Sequence, residues 1–112
     1  MFFKKTILID LDGVLNEYTG NYIEGFIPSI KIGAKEFLED ISKDYKIKIF
    51  TTREFNLVQN WIKENNLDEI ISGVTNKKDL CWLYIDDRCI CFNGNYNDLK
   101  NKINNFQPWY KL

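Results

Sequence analysis

Ile7-Leu8-Ile9-Asp10-Leu11-Asp12-Gly13-Val14-Leu15 is the stretch that decides how this chain folds. An unbroken aliphatic run of this kind suits a central strand of a parallel sheet, buried on both faces. Side chains alternate along a strand, so Asp10 and Asp12 project to the same side where the run ends. Gly13 then lets the chain turn sharply away. Two carboxylates held together just past a strand end repel each other unless a cation shares them.

Strand and helix patterns alternate outward from this point. Strands are predicted over Thr6–Leu11, Lys46–Phe50, Glu69–Val74, Leu83–Ile85 and Cys89–Phe92. Helices are predicted over Gly33–Asp44, Glu54–Asn65 and Tyr96–Phe106. The first has an apolar stripe of Ala34, Phe37, Leu38 and Ile41, the second of Leu57, Val58, Trp61 and Ile62, the third of Leu99, Ile103 and Phe106. Residues 14–30, with Gly20, Gly25, Pro28 and several aromatics, read as a turn followed by a small hairpin or flap. Asn76 to Trp82 reads as a turn or short helix. Alternation of this kind implies right-handed crossovers. The expected fold is α/β, a three-layer α/β/α Rossmann-like arrangement with a mostly parallel five-stranded sheet. In such folds ligands sit beyond the carboxyl ends of the strands.

The composition narrows the chemistry. The 112 residues make one domain, 1–112, and 45% of them are apolar, ample for a single core. Fifteen basic and sixteen acidic residues are evenly spread, and no basic stripe points to nucleic acid. No apolar run approaches the roughly 18 residues of a membrane span. The opening Met1-Phe2-Phe3-Lys4-Lys5 lacks the features of a signal peptide, so a cytoplasmic location is expected. Cys81, Cys89 and Cys91 are expected to be reduced, the last two as small apolar residues on a buried strand. The chain has no histidine, which removes Ser-His-Asp and Cys-His catalysis. Chemistry must run on Asp, Lys, Thr and Arg.

Those residues gather at strand ends: Asp10 and Asp12, then Thr51-Thr52-Arg53, then Asp86-Asp87, with Lys77-Lys78 in the loop before the fourth strand. In this order they resemble the motifs of the haloacid dehalogenase superfamily of phosphohydrolases, over nearly the whole chain. Tyr84-Ile85-Asp86-Asp87-Arg88, followed by Phe92-Asn93-Gly94, is similar to small capless bacterial and phage members.

The resemblance implies a Mg²⁺-dependent phosphatase working through an aspartyl-phosphate on Asp10. Asp12 would protonate the leaving oxygen and then deprotonate the attacking water. Mg²⁺ would be held by Asp10, the backbone carbonyl of Asp12 and Asp86, with Asp87 as a further acceptor or a ligand through water. Thr51, with Thr52 beside it, would bind phosphate oxygens. Lys78, chosen over Lys77 for its Asn76-x-Lys spacing, would pair with Asp10 and phosphate. Arg53 would reach a second anionic group of the substrate.

Other readings accompany these. Arg88 is expected to pair with a neighbouring carboxylate, and Trp61 and Trp82 to lie in the core. Tyr18, Tyr22 and Phe26 suit substrate contact and local packing equally. Only a flap separates Asp12 from the first helix, with no room for a cap. The site should be open, suited to a phosphorylated small molecule or polymer end, or covered by a second copy in a homo-oligomer. Retention of an acid at position 12 disfavours a dehalogenase, and lack of a cap disfavours a mutase. A receiver-like phosphoacceptor and a catalytically inactive phosphate-binding module are the alternative classes.

Overall fold

The aliphatic run at the start of the chain becomes the middle of the sheet. In the computed structural model, which describes residues 3–111, strand β1 spans Lys5–Asp10. Met1 and Phe2, part of the opening read for a signal peptide, lie outside the described residues. β2 (Tyr45–Phe50), β3 (Ile71–Thr75) and β4 (Leu83–Ile85) complete a four-stranded sheet in the order β3-β2-β1-β4. All three pairings are parallel. The helices are α1 (Ala34–Ile41), α2 (Phe55–Glu64) and α3 (Tyr96–Asn104). This is an α/β protein of the Rossmann-like kind. Among the described residues no helix is long and apolar enough to cross a membrane.

Register explains where the core sits. Ile7 stands beside Ile47 and Leu83, and Ile9 beside Ile49 and Ile85. Alternation puts these on one face. There Ile7, Ile9, Ile47 and Ile49 share a core with Leu38 of α1 and with Val58, Trp61 and Ile62 of α2. Truncating Leu38, which is fully buried, to Ala is expected to cost about 2–5 kcal/mol. Leu8 faces the other way. It lines an open groove of about 560 Å³ with Phe50, Tyr84 and Ile90.

The expected third layer is not shown among the described residues, because α1 and α2 both cover the same face. α3 contains no buried residue, and Ile103 in its apolar stripe is 59% exposed. A stripe marks which side of a helix is apolar without saying what it meets. The fifth strand is also absent among the described residues. Residues 89–92 have no strand pairing, and Cys89 and Cys91 are exposed free thiols rather than buried strand residues. Four residues with two cysteines are too short a signal to define a strand. Trp61 is a core residue as expected, and its Nε1 donates to the Pro28 carbonyl at 3.2 Å. Trp82 is not: it is 58% exposed, with the Lys5 ammonium 3.7 Å from its ring centroid. The flap is tied at its base by an antiparallel bridge between Asn16 and Ile30.

Candidate active site

Parallel neighbours bring their carboxyl ends to one edge. Asp10 closes β1, and Asp86 and Asp87 follow the last residue of β4. One carboxylate oxygen from each of Asp10, Asp86 and Asp87 lies within 4.8 Å of the others. Asp86 is steadied by the Arg88 amide, which donates to its Oδ1 at 3.0 Å. Asp87 presses on the turn after β1. Gly13 has φ 88°, and a β-carbon there would overlap the Asp87 carboxylate. Gly13 therefore suits the left-handed turn, and the Asp87 carboxylate occupies the space that its missing side chain leaves.

Among the described residues no basic side chain forms an ion pair with these three acids. Burial first, and then the charges of Asp86 and Asp87, push the Asp10 carboxyl up from 3.8 to about 8. Asp87 is also raised, by burial and then by the adjacent Asp86 carboxyl. Such a cluster is electrostatically unsatisfied and suits a hard divalent cation, whose preferred ligands are carboxylate oxygens.

Asp12 sits in different surroundings. Its Oδ2 accepts from Arg53 Nε at 2.7 Å, and its Oδ1 accepts from Asn16 Nδ2 at 3.1 Å. Its carboxylate lies outside the three-acid cluster, so only its backbone carbonyl remains available for the metal role read from the sequence. Asn16 is fully buried and also accepts from the amides of Gly13 and Tyr18, each at 3.1 Å. One side chain thus holds both the turn and the second acid. Sequence reasoning missed it, although an amide directly after Val14-Leu15, four residues after Asp12, is a detectable signal. Asn16→Leu leaves two amides and one carboxylate oxygen without their partner, and is expected to lower stability by about 2 kcal/mol in urea unfolding.

A cavity of about 330 Å³ opens at this edge, lined by Asp10, Asp12, Tyr18, Tyr22, Thr52, Asp86, Asp87 and Arg88. Several expected residues are placed differently. Thr52, not Thr51, lines this cavity; Thr51 is buried and lines a neighbouring one with Asn76 and Lys77. Thr51 Oγ1 accepts from the Arg53 amide at 3.2 Å, so the hydroxyl shapes the turn after β2. Lys78 lines the apolar groove with Asp10 but makes no ion pair with it. Its ammonium instead lies 5.1 Å from the Tyr84 ring centroid, where the aromatic face attracts a cation. Arg53 does not enter the cavity; its side chain is 2% exposed and lies beneath the flap. Arg88, expected to be paired, forms no ion pair among the described residues and stands exposed at the cavity rim. The chain end also returns here. Trp109 Nε1 donates to the Gly13 carbonyl at 2.7 Å, a contact across 96 positions that no local pattern reveals.

Fold and site together define a Rossmann-like α/β protein with an acidic cluster at the carboxyl edge of its sheet. No family model matches the chain, and no curated protein matches it. A solved structure of a conserved protein coded by a locus from Bacteroides thetaiotaomicron is similar, with a TM-score of 0.61 and 18% identity over 91% of each chain. At that identity the likeness shows the fold alone.

Proposed function

We propose that the chain is a capless phosphohydrolase of the haloacid dehalogenase type, hydrolysing phosphate monoesters through an aspartyl-phosphate on Asp10. The observation that carries this reading is the convergence of Asp10, Asp86 and Asp87, within 4.8 Å and without a basic partner among the described residues, at the carboxyl ends of adjacent parallel strands. These residues fit a Mg²⁺ ion by their hard oxygen donors, and the Asp12 carbonyl is a further donor. When bound, Mg²⁺ supplies positive charge that offsets the charge of the transferring phosphoryl group.

The chain's own residues do the rest. The Asp10 carboxylate attacks phosphorus, forming the acyl phosphate as the ester oxygen departs. Asp12, held at both oxygens, would carry a proton to that oxygen as the ester bond breaks, returning to the ionised form that Arg53 pairs with, and would afterwards take one from the water that cleaves the acyl phosphate. Thr52 and Arg88 line the cavity where phosphate oxygens would lie. Tyr18 and Tyr22 form the side from which the rest of the substrate enters.

Phosphate release from a panel of nucleotides, sugar phosphates and phosphorylated oligonucleotide ends tests this, with Mg²⁺ and with chelator. Release is expected only with the cation and not from Asp10→Asn; chelator-resistant release, or full activity in that variant, would contradict the reading. Arg88→Ala is expected to raise KM about tenfold with a smaller change in kcat, since its guanidinium would bind the phosphate in ground and transition state alike. Steady-state kinetics on the best ester checks the split.

A further inference from the structure

We propose that Arg53 is a positioning residue that latches the flap to the Asp12 carboxylate, so that closing the flap and aiming the acid are one event. The catalytic half of this inference rests on the role proposed for Asp12; the mechanical half does not. One guanidinium is fastened on opposite sides. Nε donates to Asp12 Oδ2 at 2.7 Å, and Nη1 donates to the flap carbonyls of Phe26 at 2.8 Å and Ile23 at 3.5 Å. The Tyr22 ring of the same flap covers the guanidinium, its centroid 4.7 Å from Cζ. A planar, permanently charged fork is the side chain suited to joining such distant partners rigidly.

Nη2 is buried and has no hydrogen-bond partner among the described residues. In a guanidinium this nitrogen lies on the same edge as the Nε–H, which here faces Asp12. The carboxylate therefore has a second donor beside the one it uses. It can pivot from Nε toward Nη2 as it moves a proton, without leaving the cation unpaired. A purely structural ion pair would have no use for that spare donor, which costs about 1–3 kcal/mol when left unsatisfied in the interior.

The test begins without substrate. Amide hydrogen exchange is followed in wild type, Arg53→Met, Asp12→Ala and the double variant, with Arg53→Lys and Asp12→Asn as milder changes that keep the fold. Either single change is expected to speed exchange in residues 20–27 about tenfold or more, the double change no further, because both open one latch. Amides of β1 and β2 serve as the control for global unfolding. Flap exchange unchanged in Arg53→Met, or raised additively in the double variant, would overturn the latch whatever the protein's activity.

Turnover supplies the catalytic half. An alkyl ester such as glycerol phosphate needs its leaving oxygen protonated, whereas p-nitrophenyl phosphate does not. Arg53→Met is expected to slow the alkyl ester at least about tenfold more than the aryl one, and Arg53→Lys to recover part of the difference. Equal losses on both esters would reduce Arg53 to a structural role. Failure of wild type to hydrolyse either ester would strike the proposed function and this catalytic half, leaving exchange to decide the mechanical one.

Discussion

Asp10→Asn is expected to abolish metal-dependent phosphate release while making the metal-free protein more stable at neutral and alkaline pH. The loss of activity should reach on the order of 10³-fold or more, as for other nucleophile removals. The gain in stability follows from the carboxyl's environment. Burial and the adjacent Asp86 and Asp87 charges raise its folded value to about 8 from an ordinary 3.8. The folded chain therefore holds a proton that the unfolded chain has released. That contribution is fully present below about pH 4 and is lost as pH rises through about 8. Wild type should lose about 2 kcal/mol across this window, allowing for solvent screening of a partly buried group, and Asp10→Asn should lose less. Urea unfolding between pH 5 and pH 8.5 in chelator checks the slope. Mg²⁺ should raise the melting temperature of wild type more at the upper end than at the lower, and of Asp10→Asn hardly at all. A variant less stable than wild type at pH 8.5 without metal would contradict the site's electrostatics.

Asp12→Ala is expected to behave oppositely in stability, though it alters an acid only two positions away. The Arg53 side chain is 2% exposed, and Asp12 is its only carboxylate partner among the described residues. Removing the acid leaves a buried guanidinium uncompensated, which should cost about 3–5 kcal/mol. Asn16 loses its acceptor as well. Asp12→Asn preserves the shape and should cost less. Both should reduce turnover of alkyl phosphates by about 10²–10⁴-fold, the contribution of a positioned acid-base group. Denaturant unfolding of both variants beside Asp10→Asn measures the contrast. Equal and opposite-to-expected stability changes at positions 10 and 12 would mean that the two carboxylates do not occupy the distinct surroundings described.

The parts of the fold that sequence made legible are those whose signals are long or forced by topology. Ile7-Leu8-Ile9 had to be a central strand, and β1 lies between β2 and β4. Parallel crossovers then send every strand's carboxyl end to one edge, so Asp10 and Asp86 meet although they are 76 positions apart in numbering. The stripe of Val58, Trp61 and Ile62 packs as its periodicity requires. What was not legible depends on contacts between distant segments. Leu99, Ile103 and Phe106 form a stripe at helical spacing, yet α3 ends at Asn104 before Phe106 and buries neither Leu99 nor Ile103, because periodicity says nothing about a partner. Arg53 was recognisable as a charge at a strand end. Its burial is set by flap carbonyls 27 and 30 positions earlier, which no local pattern brings near. Thr51 and Thr52 were both expected at the site, and only Thr52 lines the acidic cavity, because alternation ends with β2 at Phe50 and the turn decides which hydroxyl faces it.

The central claim is that the oxygen of Asp10, beside a cation held by Asp86 and Asp87, attacks phosphorus. Acid-quenching the protein during incubation with a good ester and Mg²⁺, followed by peptide mass spectrometry, tests it directly. A short-lived phosphoryl adduct on the peptide containing Asp10, absent with chelator and absent in Asp10→Asn, is the predicted result. An adduct on another residue, or sustained turnover by Asp10→Asn, would contradict it.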